Sequence, residues 1–262
     1  MSRILKIAKG IIFSATRIMF WFRHSFKRGL TYQGNLKFFN SKLSVAKTTQ
    51  LSLGKDVTMI NCTIKIDENA SVKISDRSVL KNLELYVSDN STVLLEEGVI
   101  LRYPKNNRGS ININSGHLHI HQFANLACNI SMRFNARVKI GMYTAIGFNS
   151  EIVCDNNIEI GQYGLVSNNV DIFDTNSHSV KFENRRDRIQ LGYPTGCSEI
   201  VRPETSPVRI GDDVWIGKKS IVLKGAIIGN RCIVGMGTKV TAGVYPDDSI
   251  IVNEKARVLP VK

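Results

Sequence analysis

Residues 210–244 read IGDDVWIGKKSIVLKGAIIGNRCIVGMGTKVTAGV, and the stretch repeats with a period of six. Ile210, Ile216, Val222, Ile228, Val234 and Val240 fall six apart. Val214, Ser220, Ala226, Cys232 and Thr238 stand four places after the first five of them, and Gly211, Gly217, Gly229 and Gly235 directly follow an aliphatic residue. One inward aliphatic every six residues is too short a unit for a helical repeat. It suits an extended chain that turns a corner every sixth residue, so that three edges close a triangular coil of eighteen. One such coil cannot bury a core, but a stack can, because aliphatic residues pile on aliphatic residues. The stretch therefore predicts an all-β chain, a parallel β-solenoid.

The pattern weakens toward the N-terminus. Ile140, Ile146 and Ile152 keep the spacing with Thr144 and Ser150 in the small position, and Ile160, Val166 and Ile172 keep it with Gly164 and Val170. Further up it decays into short alternating pieces such as Val72-Lys73-Ile74, Leu83-Glu84-Leu85 and Ile111-Asn112-Ile113. Each reads as a short strand with two inward aliphatics around one outward polar residue. Asn and Gly cluster between the pieces, where tight corners need left-handed backbone. The reading divides the chain into a leader, 1–33, and a solenoid domain, 34–262. The domain has irregular coils over 50–137, regular coils over 138–172 and 208–243, an inserted loop over 173–207 and a tail over 244–262.

The 262 residues are 43% apolar, enough for a sizeable core. Cys62, Cys128, Cys154, Cys197 and Cys232 show no CxxC spacing and read as buried free thiols of a reducing compartment. Of the net charge of +13, eleven positive charges lie in residues 1–55, which hold no acid. A basic leader on a near-neutral body argues against nucleic-acid binding.

Residues 3–29, RILKIAKGIIFSATRIMFWFRHSFKRG, mix large apolar side chains with cations. No uncharged run reaches the roughly 18–20 residues of a membrane span, and no small-residue cleavage site follows the apolar run. Ile4, Ile7, Ile11, Ile18 and Phe22 fit one side of an amphipathic helix. Two readings stay open: an interfacial helix on the anionic inner face of a cell membrane, or a helix packed on its own domain or a sister subunit.

The segment 210–244 and the run DIFDTNSHSV, residues 171–180, resemble the hexapeptide-repeat acyltransferases, the second in their sugar O-acetyltransferase branch. The resemblance covers roughly residues 138–259. It implies a left-handed β-helix that forms homotrimers, with acetyl-CoA lying in the groove between two solenoids and a histidine of one subunit acting there. No metal is implied. The expected activity is acetyl transfer to a sugar hydroxyl of a bacterial surface polysaccharide or its lipid-linked precursor, by a cytoplasmic protein that can sit on the inner face of the membrane. Two alternatives remain: N-acetylation of an amino sugar, nucleotide- or lipid-linked, and a catalytically silent β-helix scaffold.

His178 leaves the hexads just after Ile172, where side chains can converge rather than feed the stack. Acetyl transfer needs a base for the acceptor's proton, and neutral imidazole suits that near pH 7. A carboxylate on the other ring nitrogen would fix the tautomer. Asp174 is the nearest candidate and matches the Asp preceding the family's histidine, with Asp171 second. Asn176 is expected either to bind a sugar hydroxyl or to fix the loop. Arg185 and Arg186 in the inserted loop are expected to meet a phosphate-bearing or acidic acceptor, or else to pair with acidic neighbours. By the resemblance, Trp215 lies against the pantetheine arm and the acceptor; the other reading, compatible with it, is a ring on a solenoid face packing on the next subunit. Gly217, Gly235, Met236, Thr241 and Ala242 line the CoA groove, and Arg257 meets the nucleotide phosphates. Ala242 stands where many relatives carry Lys, Asn253-Glu254-Lys255 replaces Gly-Asn-Pro, and Pro260 replaces a final basic residue. Lys239, Lys255 and Lys262 are the substitutes available. His117, His119 and His121 alternate around Leu118 and Ile120 and read as three outward rings with no carboxylate at ligand spacing, so no metal site is expected.

Overall fold

The computed structural model describes residues 29–192 and 201–253. Most of the leader, Cys197 and Arg257 lie outside them. Strands repeat in threes, and each pairs in parallel with the strand one coil before and one coil after it. The result is three long parallel sheets of ten, ten and nine strands, here A, B and C in chain order. Each coil places one short strand on A, then B, then C, before turning the C–A corner into the next coil. The triangular parallel solenoid expected from the hexads is the architecture found.

The register explains the hexads. Ile210 pairs with Ile228 in sheet A, Ile216 with Val234 in sheet B and Val222 with Val240 in sheet C, each eighteen residues on. All six are buried, as are the small residues between them. Each fully buried aliphatic side chain contributes about 1.5–3 kcal/mol, and a column of them runs along every sheet. The small position is selected at the corner: Thr144 Oγ1 donates to the Gly161 carbonyl at 2.7 Å, Ser150 Oγ to the Ser167 carbonyl at 3.0 Å, and Ser220 Oγ to the Gly235 carbonyl at 2.9 Å. A thiol can take the same place, as Cys232 does with the Pro246 carbonyl at 3.1 Å. Four of the cysteines, Cys62, Cys128, Cys154 and Cys232, are buried and free, as expected, and burial pushes the Cys128 thiol up to about 12.

Upstream coils are longer. Leu51 pairs with Val72, twenty-one residues on, Val93 with Leu118, twenty-five on, and Leu118 with Val138, twenty on. The extra residues sit at corners, several in the left-handed region, such as Asn61, Asn82 and Asn90. The pairing starts at Leu30, so the stack takes in residues ahead of position 50. Between Ile158 and Val208 the step is fifty residues, because the insertion leaves here. Glycine is required where the next coil's backbone closes on the corner: a Cβ on Gly161 would lie 2.5 Å from the Gly211 oxygen.

Candidate active site

The insertion departs from the C–A corner. Strand Asp171–Phe173 ends the last sheet C strand before it, and strand Val208–Ile210 resumes sheet A after it. Two buried acids lock its neck. Asp174 accepts the backbone N–H groups of Asp155 and Asn156, both at 2.8 Å, and the Cys154 thiol at 3.1 Å. Asp155 takes Arg133 through Nε at 2.8 Å and Nη2 at 2.6 Å, and the Thr175 hydroxyl at 2.7 Å. Thr175 and Thr205 form an antiparallel bridge across the neck, and the Ser206 N–H donates to the Asp174 carbonyl at 2.9 Å. Burial raises the Asp174 carboxyl above its ordinary range, against the pull of the Asp155 N–H, the Cys154 thiol and neighbouring N–H groups.

Above this neck Ser177 takes a left-handed φ of 61° and His178 is exposed, its N–H donating to the Asn176 carbonyl at 2.7 Å. Helix α1, Phe182–Gly192, follows. Asp174 does not reach His178: its carboxylate is spent on the corner N–H groups and Cys154, so it shapes the neck rather than orienting the imidazole. The partner on His178 Nδ1 is the Arg188 guanidinium. A guanidinium only donates, so Nδ1 accepts in this arrangement and Nε2 carries the ring hydrogen. Asn176 is exposed and tied to the loop's return: its N–H meets the Glu204 carbonyl at 3.1 Å and its amide the Glu204 carboxylate at 3.4 Å. Arg185 Nη1 donates to the carbonyls of Ser179 and Val180, both at 2.8 Å, and Arg186 lies over the Phe182 ring at 4.8 Å. Among the described residues no ion pair joins Arg185, Arg186 or Arg188 to an acid. Arg188 is not among the arginines the sequence singles out, because only the helix turns it back ten residues onto His178.

The groove residues divide between two sides of the prism. Thr241 and Ala242 are exposed on the C–A corner below the insertion. A Cβ on Gly225 would sit 3.0 Å from that of Ala242, and the Gly225 N–H bonds the Ser206 carbonyl at the loop's base. Trp215, by contrast, points outward from sheet B, the face opposite that corner. It stands in register with Leu165 and Ile233, and Ile233 in turn with Ile250. Trp215 is 49% exposed, Leu165 54% and Ile250 71%, so an apolar stripe runs along this face. Gly217, Gly235 and the exposed Met236 turn the corner from B to C, and a Cβ on Gly217 would strike the Met236 nitrogen at 2.6 Å. One chain therefore does not bring Trp215, Gly217, Gly235 or Met236 to His178.

The histidine row also differs from its sequence reading. His117 Nδ1 meets Thr92 Oγ1 at 2.8 Å. His119 and His121 both meet Glu96, at 2.7 and 3.2 Å. That carboxylate lies twenty-three residues before His119 in sequence but one coil away in space. Burial first, and then the neighbouring His119, lowers the pKa of His121.

Residues 207–242 match the family model described as the hexapeptide repeat of succinyl-transferase. A probable acetyltransferase of Mycobacterium tuberculosis is 37% identical over 129 residues, which cover 49% of this chain and 37% of that protein. The galactoside O-acetyltransferase of Escherichia coli is 28% identical over 114 residues, 44% of this chain and 49% of that one. A second Escherichia coli protein, named provisionally as a lipopolysaccharide biosynthesis O-acetyl transferase, is 31% identical over 102 residues, 39% of this chain and 49% of that one. The matched region spans less than half the length of each relative. The fold is a parallel β-solenoid of hexapeptide-repeat type. The chain carries the repeat of that family, and these relatives are named as acetyltransferases.

Proposed function

We propose that this protein transfers acetyl from acetyl-CoA to a sugar hydroxyl of a bacterial surface polysaccharide or its lipid-linked precursor, with His178 as the base. The observation that carries the reading is the exposed imidazole of His178 on an insertion whose neck is locked by two buried acids, in a chain whose relatives are acetyltransferases. A base held on a rigid neck can be placed within hydrogen-bond reach of an incoming hydroxyl, as general-base chemistry requires. The acceptor hydroxyl gives its proton to the imidazole while its oxygen attacks the thioester carbonyl. The tetrahedral intermediate then expels CoA as thiolate, and the imidazolium returns the proton to that sulfur. No acyl-enzyme is needed.

A base must present a bare nitrogen, and in the free chain Arg188 occupies Nδ1. A carboxylate or phosphate on the acceptor would draw the guanidinium to itself through paired charge-assisted hydrogen bonds. That exchange would release the imidazole as the acceptor binds, which favours an acidic or phosphate-bearing sugar.

The split of the groove residues between the C–A corner and sheet B supports a homotrimer with sites between subunits. In such a ring, His178 of one subunit faces Trp215 of the next, and the exposed stripe on sheet B is covered. The acyl donor's pantetheine arm would lie along Trp215, Gly217, Gly235 and Met236, with Thr241 and Ala242 beside His178; Arg257 would meet the nucleotide phosphates. The leader would hold the enzyme on the inner face of the membrane. Deleting residues 1–30 should then release the protein from anionic vesicles, and unchanged sedimentation with them would refute the anchor.

The direct test is transfer from labelled acetyl-CoA to neutral galactosides, acidic sugar polymers and lipid-linked oligosaccharides, with His178→Ala alongside. The expected result is ester-linked acetate on a sugar, lost in the variant. Undiminished transfer by His178→Ala would overturn the mechanism.

A further inference from the structure

At the corner from sheet A to sheet B, several coils place glycine directly after the last inward aliphatic, among them Gly141, Gly161, Gly211 and Gly229. Their N–H groups bond the carbonyls of Ile160, Ile210, Ile228 and Tyr245. Other coils place Gln33, Ser75, Glu96, His121 and Pro246 there. Glu96 and His121 hold the same corner position, their N–H groups bonding the carbonyls of Ile120 and Ile140. Both carry metal-ligand side chains, and the register sets them one above the other.

His119, outward on sheet A two residues before His121, completes a group of three. Glu96 Oε1 lies 2.7 Å from His119 Nε2 and 3.2 Å from His121 Nδ1. The three ligand atoms fall within 4.8 Å of one another. Bonds of about 2.0–2.1 Å in tetrahedral geometry need ligand atoms roughly 3.3 Å apart, so small shifts of the side chains would centre an ion among them. The two imidazoles stand side by side, with centroids 3.9 Å apart and planes tilted by 30°. His121 Nε2 is buried with no hydrogen-bond partner among the described residues. The opposing charge is Lys139, in register with His119. The side chains of Glu96, His119 and His121 are 25%, 35% and 23% exposed, so an ion can enter from solvent.

We propose that Glu96, His119 and His121 bind one divalent transition-metal ion of the imidazole-preferring class, such as Zn²⁺ or Co²⁺, clamping two neighbouring coils at the A–B corner. Two imidazoles and one carboxylate suit such ions and leave outer positions to water. The site is separate from the C–A corner that carries His178, so its role is in holding the stack.

The test uses the full chain, freed of metal with a chelator and titrated with Co²⁺, followed by visible d–d absorption and equilibrium dialysis. The expected result is one ion per chain, with affinity weakened at least about tenfold by Glu96→Gln or His119→Ala and unchanged by His117→Ala. Ring-¹⁵N NMR of the unaltered protein with Zn²⁺ serves as a second readout that needs no variant: His119 and His121 should shift, and His117 and His178 should not. Absence of stoichiometric Co²⁺, equal affinity in Glu96→Gln and His119→Ala, or shifts at His117 instead would each overturn the site.

Discussion

The C–A corner and sheet B face opposite ways from the same prism and treat side chains in opposite fashion. On sheet B the short strands never leave the stack, and their outward residues, Leu165, Trp215, Ile233 and Ile250, form a flat apolar stripe. At the C–A corner the chain breaks out for some thirty residues and spends two buried acids, Asp155 and Asp174, on fixing the exit. The flat side suits an extended donor or a neighbouring subunit, and the broken side suits chemistry. Neither side alone holds both His178 and Trp215.

The largest effect that would break this division is at His178. His178→Ala is expected to lower acetyl transfer by about 10²–10⁴-fold with the melting temperature unchanged, because the ring is exposed and outside the stack. Asp174→Ala should do the reverse. It strands two backbone N–H groups at roughly 1–3 kcal/mol each, measured by urea unfolding, while the folded fraction keeps most of its activity. If Asp174→Ala instead matched His178→Ala in activity at undiminished stability, Asp174 would be the imidazole's partner after all. Arg188→Gln should raise KM for an acidic acceptor by about tenfold, the worth of one charge-assisted hydrogen bond, and leave KM for a neutral acceptor unchanged while raising its kcat, because Nδ1 is then free. Equal effects on both acceptors would remove Arg188 from acceptor binding.

The smallest effect concerns pH. Burial holds the Asp174 carboxyl above its ordinary value of 3.8, so the folded chain takes up this proton at a higher pH than the unfolded chain. The penalty for ionising it is complete above the folded pKa and is relieved as pH falls toward 3.8. Stability relative to Asp174→Asn should therefore rise on acidification through that window. A difference that stays flat would show that the corner N–H groups compensate fully for burial.

The two sides also differ in how readily the sequence reveals them. The coils over 208–243 are readable because each step is eighteen residues, so all three sheets put aliphatics six apart; over 138–172 the step is twenty, and the spacing of six survives only within a coil. Steps of twenty to twenty-five upstream add corner residues that break the period without breaking the register. His178 was readable because it follows the last intact hexad. Asp174 misled because four residues of separation suggest proximity, whereas unpaired corner N–H groups claimed the carboxylate. Glu96 was hidden for the opposite reason: residues a whole coil apart in sequence are neighbours in a solenoid, and that distance was not readable where coil length varies. Arg188 needed the helix to turn it back onto the histidine.

The central claim is that one chain supplies the base and its neighbour the donor wall. Chains carrying His178→Ala and chains carrying Trp215→Ala should each be nearly inactive alone. Co-expressed in equal amounts, they should recover about a quarter of the wild-type activity, since in a symmetric ring one site in four draws an intact His178 from one chain and an intact Trp215 from the next. A mixture no more active than either variant alone would contradict a site shared between subunits.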